Sequence, residues 1–130
     1  MNMLNSVIME GDITKTGNVV QFADGKQRQL EVTIAVKRQY RNRAGFIVDE
    51  TSEFNVIAYG PTADFLAEKG TIGQGIRVVG RLTQVKWIAD DREQSAVKLI
   101  AEHIEYKPKK SQKKEIDSEV REAEDEKQHF

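Results

Sequence analysis

At 130 residues, with 38% hydrophobic and 32% charged residues, the chain suits one domain and is long enough to bury a core without disulfides or metal. It holds no cysteine, which excludes disulfide frameworks, thiolate zinc sites and cysteine nucleophiles and fits a reducing compartment. The formal net charge of -1 argues against nucleic-acid binding by bulk basicity, so any such function has to come from local arrangement.

Charge is segregated along the chain. Lys37, Arg38, Arg41 and Arg43 cluster, as do Lys107, Lys109, Lys110, Lys113 and Lys114, whereas Glu115 to Glu126 is mostly acidic. The histidines, at 103 and 129, have no companions at metal-ligand spacing, so no metal or cofactor is expected, and His103 reads as a packed or edge strand residue. No apolar run approaches membrane-spanning length, and the amino end passes almost directly into strand pattern, which leaves no room for a signal peptide. A cytoplasmic protein is expected.

Asn5 to Thr14 places Val7, Met9 and Ile13 at alternate positions around Gly11 and reads as a first strand with a kink. Gly17-Asn18 and Asp24-Gly25 then bracket Val19 to Phe22, the Asp-Gly pair being a hairpin signal. Arg28 to Lys37 alternates Leu30, Val32, Ile34 and Val36 against polar residues, as a half-buried strand does. The basic stretch from Arg38 to Gly45 is expected to project as a hairpin tip, with Thr51 to Gly60 returning as the third strand. Pro61 to Lys69 carries helix signals: proline in the first turn, Asp64 near the amino end, Phe65 and Leu66 as an apolar patch, and Gly70 as the stop.

The stretch Gly75 to Trp87 interleaves apolar, basic and aromatic residues at a spacing of two. Alternation puts Ile76, Val78 and Leu82 on a core face and Arg77, Arg81, Val85 and Trp87 on the other, with Gly80 marking a bulge or bend. Arginines that meet phosphates beside a ring that stacks on bases suit a binder of single strands. The same pattern also fits a solvated arginine face with a half-buried Trp87. After a turn at Ala89 to Arg92, Ser95 to Tyr106 reads as a fifth strand, with a helix as the alternative from the spacing of Leu99, Ile100, His103 and Ile104. The fold expected is all-β: five strands with one short helix between the third and fourth, the element order of the OB barrel, whose faces and loops bind oligonucleotides or oligosaccharides. Residues 1–107 form that domain, and 108–130 a disordered charged tail in which Ile116, Val120 and Ala123 allow a weak or partner-induced helix.

At this point the chain resembles the bacterial single-stranded DNA-binding protein family over nearly all of residues 3–106. The carrying segments are NSVIMEGDIT, LEVTIAV with its basic loop, EFNVIAYG, the helix ending in EKG, and GIRVVGRLTQVKW. The resemblance implies an OB fold, a homotetramer, and sequence-tolerant binding of single-stranded DNA in replication, recombination and repair. By position it implies stacking by Trp87, Tyr59 and Tyr40. The fourth family position, six residues before Tyr59, holds Glu53, with Phe54 one place away on the opposite face of a regular strand. The parity expected is Phe54, Val56 and Ala58 inward, with Asn55, Ile57 and Tyr59 toward the groove; Glu53 there weakens binding. The tail keeps acid and a final ring in Glu122, Glu124, Asp125, Glu126 and Phe130, but lacks the family's proline, so partner docking stands beside mere solubilisation.

The mechanism expected joins phosphate contacts from Lys37, Arg38, Arg41, Arg43, Arg77, Arg81 and Lys86 to stacking on Trp87, Tyr59, Tyr40 and, less securely, Phe54. A second class of reading is a primosome-type accessory protein acting mainly through protein contacts. A cold-shock-like RNA binder fits less well, because its Gly/Phe ladder is absent. The acids Asp12, Asp24, Asp49, Asp90 and Asp91 fall at turns and strand ends with no nucleophile or base motif nearby, so no catalytic site is expected.

Overall fold

Five antiparallel-leaning strands close on themselves in the computed structural model, which describes residues 1–21 and 28–108. The Asp24-Gly25 turn and the tail beyond residue 108 lie outside the described residues. The elements are β1 (Val7–Thr16), β2 (Gln29–Arg41), β3 (Ile47–Tyr59), α1 (Gly60–Lys69), β4 (Gly75–Ala89) and β5 (Arg92–Tyr106). The barrel order is β1-β2-β3-β5-β4, with β3 and β5 the parallel pair, joined at Val56 and Ile57 opposite Leu99 and Ile100. This is the expected five-stranded barrel with its helix between the third and fourth strands, and the helical alternative for residues 95–106 is excluded.

The inside is filled by alternate residues of every strand. Ile13, Leu30, Val32, Ile34, Val56, Ile76, Val78 and Leu99 are at most 1% exposed, and Leu66 of α1 closes one end. Each such side chain contributes roughly 1.5–3 kcal/mol by leaving water. The helix starts at Gly60-Pro61, where a missing N–H costs nothing, and ends when Gly70 N–H donates to the Leu66 carbonyl at 2.8 Å. Asp64 takes Arg28 as its partner at 2.9 Å. Phe65, read with Leu66 as an apolar patch, is 54% exposed, because the single helix of 10 residues turns only one face to the barrel.

Strand ends differ most from expectation. β2 runs through Arg38–Arg41, assigned above to a loop, and pairs without a slip from Gln29 opposite Tyr59 to Arg41 opposite Ile47. The loop shrinks to Asn42–Phe46, because charged residues on a two-stranded ribbon with both faces solvated cost its pairing nothing. β5 begins three residues early, at Arg92, after a tight turn in which Asp90 and Asp91 hold φ of 51° and 61°. Among the described residues 19–21, Val20 forms an isolated bridge opposite Gln29, and Phe22 lies outside the described residues.

The bulge expected at Gly80 is present, but its extra residue belongs to β5. Gly80 faces Ala101 while Val79 faces His103, so Glu102 is left over and the parity of β4 is unchanged. Gly80 is required by proximity: a Cβ built there would lie 1.9 Å from the Ile100 carbonyl oxygen. Leu82 corrects the core assignment. It keeps the parity of Ile76 and Val78 yet is 40% exposed: its partner Leu99 is still in the core, but the β1–β4 ladder ends at Val7 opposite Gly80, so β1 no longer pairs beside it. His103 takes the edge reading and not the packed one: it is exposed, pairs with Val79 of β4 on one side, lies beyond the two-pair ladder to β3 on the other, and is 3.5 Å from Glu105.

Candidate nucleic-acid interface

Two long hairpins rise from one end of the barrel, β2–β3 and β4–β5. Trp87 sits on the second, opposite Gln94, with its ring 45% exposed. A depression of about 400 Å³ beside it is lined by Lys86, Trp87, Ile88, Asp91 and Glu93. Its parity is that of Arg81, Thr83 and Val85, the outward side of β4.

That outward side continues across the sheet. Arg81 lies opposite Ile100, Ile100 beside Ile57, and Ile57 opposite Glu31. Tyr59, 37% exposed, is two residues farther along β3. Tyr59 and Trp87 therefore share one face, at levels about 26 Å apart along the strands. Asn55 and Glu53 occupy the β3 positions between those levels, and Asn55 accepts a 3.0 Å hydrogen bond from the Thr33 hydroxyl. Ile57, expected to line the groove, is only 4% exposed. The reason lies above it: Lys98 of β5 reaches over β3 to Glu31 of β2, 2.9 and 3.0 Å from its two carboxylate oxygens. An ion pair and its methylene stem form the floor where an isoleucine was expected.

The opposite face of the β2–β3 ribbon holds the other rings. With no bulge between β2 and β3, Phe54 opposite Ile34 and Tyr40 opposite Val48 fall on the face away from Tyr59. Phe54 is 38% exposed because it sits where the ribbon leaves the barrel, and Tyr40 is 39% exposed with the Arg38 guanidinium 5.2 Å from its ring centre. The turn adds a ring that sequence reasoning missed: Phe46 is 70% exposed. A signal was present, since Asn42 and Gly45 frame a short hairpin loop and Gly45 takes φ of 86°.

The cations divide into two groups. Arg77 donates to Glu10 at 2.9 Å and approaches Glu105 at 3.4 Å, and Lys107 joins the same Glu10. Lys107 and then Arg77 hold the Glu10 carboxyl below its ordinary value of 4.5, and Glu10 in turn raises the pKa of Arg77. Arg77 thus lies in a carboxylate network on β1, β4 and β5, away from the hairpins. Arg81 meets Glu102 at 3.4 Å and Lys86 meets Glu93 at 3.9 Å. Lys37, Arg41 and Arg43 show no such pairing among the described residues, and all three lie on the β2–β3 ribbon or its turn.

The single-strand binding protein family model matches residues 4–107. The chain is 34% identical over 102 residues to a single-stranded DNA-binding protein of Aquifex aeolicus, covering 78% of this chain and 69% of that one. It is 30% identical over 111 residues to single-stranded DNA-binding protein 2 of Streptococcus agalactiae, covering 85% and 82%. Among solved structures, a Plasmodium falciparum single-strand binding protein in complex with single-stranded DNA superimposes with a TM-score of 0.75 at 16% identity, over 83% of this chain and 98% of that one. The Thermus aquaticus single-stranded DNA-binding protein does so with a TM-score of 0.72 at 24% identity, over 82% and 52%. These superpositions establish the shared barrel. The chain belongs to the single-strand binding protein family.

Proposed function

We propose that the binding of single-stranded DNA, the activity of the family to which this chain belongs, runs along the outward face between Tyr59 and Trp87 and over the β2–β3 ribbon. The observation that carries this reading is the shared face of those two rings, joined through Ile57 and Ile100 and flanked by Arg81. Bases stack on Trp87, Tyr59 and Tyr40, while Lys37, Arg38, Arg41, Arg43, Arg81 and Lys86 follow the phosphates, so that every strand sequence is accepted. Arg77 contributes by fixing β1 to β4 and β5 through its carboxylates. Phe54, on the other face of β3, is a secondary contact.

Self-association into a homotetramer belongs to the same reading. It is supported by the residues of β1 from Val7 to Gly11, which pair with β4 alone, and by Ile8, 70% exposed beside them. Among the described residues no helix is long and apolar enough to cross a membrane, and the reading places the protein's work on replication, recombination and repair intermediates in the bacterial cytoplasm, at the nucleoid. Docking of partner enzymes by Glu124, Asp125, Glu126 and Phe130 rests on their acid and ring alone. Analytical ultracentrifugation with and without a long poly-dT strand tests both parts. A larger complex with the strand supports the binding face, and an unliganded monomer overturns the tetramer.

A further inference from the structure

We infer that Phe46, at the end of the β2–β3 ribbon, is a further base-stacking residue, and that it carries the strand over the ribbon's tip. This rests on the proposed DNA-binding reading. Phe46 is 70% exposed, more than Trp87, Tyr59, Tyr40 or Phe54. A ring so exposed loses its transfer free energy from water unless something covers it, and the described chain does not.

The backbone beneath the ring is fixed. Phe46 N–H donates to the Asn42 side-chain oxygen at 3.0 Å, Asn42 N–H to the Phe46 carbonyl at 2.9 Å, and Gly45 N–H to the Asn42 carbonyl at 3.0 Å. Such a turn presents its ring with little further ordering on binding, as a stacking platform should. The Asn42–Phe46 bond continues the ladder, so Phe46 follows the parity of Val48 and Tyr40. Tyr40 and Phe46 then lie two steps apart along the ribbon, about 7 Å, a spacing that neighbouring bases of an extended, unstacked strand can match.

Charge selects the occupant. Arg41 and Arg43 flank the tip and Arg38 lies on Tyr40, three cations against the two carboxylates of Asp49 and Glu50 on the returning strand. A cation-rich tip bearing one exposed ring fits a polyanion with flat faces. It fits poorly against a second copy of itself, where like charges would meet.

The test uses the full chain and oligo-dT, with affinity read by anisotropy of a labelled strand. Phe46→Ala leaves every turn hydrogen bond intact, since none uses the ring, so folding is preserved. It should weaken binding about tenfold or more, with the salt slope unchanged, because no phosphate contact is removed. Phe46→Trp should restore affinity, and Phe46→Leu, apolar but without a π-face, should not. In the double variant Trp87→Phe/Phe46→Trp the lone indole at the tip should be quenched by oligo-dT.

Wild-type affinity in Phe46→Ala overturns the inference while leaving the DNA-binding reading intact, provided Trp87→Ala is still weakened. Loss confined to concentration-dependent clustering of protein, with affinity for short oligo-dT unchanged, overturns it in favour of contact between copies. If the wild type does not bind oligo-dT, both readings fall.

Discussion

Lys98 places its ammonium 2.9 Å from one Glu31 carboxylate oxygen and 3.0 Å from the other, although β5 and β2 are not neighbours in the barrel. The strand between them, β3, meets β5 through only two residue pairs, Val56 with Leu99 and Ile57 with Ile100. The bridge therefore spans the seam with the shortest ladder. With side chains 18% and 36% exposed it is screened less than a surface pair. Glu31→Gln should lower stability by about 1–2 kcal/mol, since it leaves a largely covered ammonium without its charge partner. Urea unfolding of the two proteins would show it, and equal midpoints would reduce the bridge to decoration.

The Glu10 network gives a pH dependence with a definite sign. Lys107 and Arg77 depress the folded pKa of Glu10 below the ordinary 4.5, so the unfolded chain takes up a proton at higher pH than the folded one. The resulting stability is present above pH 4.5 and disappears as pH falls through the lower folded value. The melting temperature of Glu10→Gln should therefore lie below that of the wild type at pH 7, and the two should converge in acid. A gap that stays constant from pH 7 to about pH 3 would remove Glu10 as its source.

Gly80 tests the bulge. Any Cβ at that position meets the Ile100 carbonyl oxygen at 1.9 Å, a backbone atom with no room to retreat without opening the β4–β5 ladder. Gly80→Ala should cost about 3 kcal/mol or more, at the upper end of overpacking penalties. Chemical denaturation at neutral pH would measure it. A loss under about 1 kcal/mol would mean that the two strands separate there easily.

These cases also show what the sequence discloses. The alternation of Leu30, Val32 and Ile34 specifies an inward face whatever its neighbours are, and the barrel follows from five such runs and one short helix. Parity on β3 was equally legible, because pairing with β2 is regular and Phe54, five residues before Tyr59, had to face the other way. Exposure was not. Leu82 and Ile57 lie on the sides that alternation assigns, yet one is open where the β1–β4 ladder has ended and the other is covered by an ion pair whose partners are 67 positions apart. The pairing of Arg77 with Glu10 is similarly remote in sequence, and no local pattern distinguishes an arginine held by carboxylates from one offered to phosphates. Phe46 follows a basic stretch whose composition reads as a loop, and only the pairing of β2 with β3 shows the ribbon that holds its ring out.

Trp87 is the ring whose loss should be felt most. It is the only tryptophan and stands on the outward face of a hairpin that offers DNA little else that is flat. Trp87→Ala should weaken oligo-dT binding by roughly 1–3 kcal/mol and abolish the fluorescence quenching that accompanies it. An unchanged binding isotherm would dismiss the hairpin as a contact.

Glu53 gives the opposite expectation. It lies opposite Ala35 on the face of Tyr59, exposed, at a level between Tyr59 and Trp87, where its charge faces the path assigned to the phosphates. A carboxylate about 7 Å from a phosphate in water repels it by about 0.6 kcal/mol, a factor of roughly three in affinity. Glu53→Gln should therefore bind oligo-dT more tightly than the wild type by about that factor at low salt. The advantage should shrink as added salt shortens the screening length to about 8 Å near physiological strength and to about 3 Å at 1 M. An equal or weaker affinity at low salt would place the strand elsewhere. The outward face would then lose its claim to the DNA even though its rings are correctly aligned.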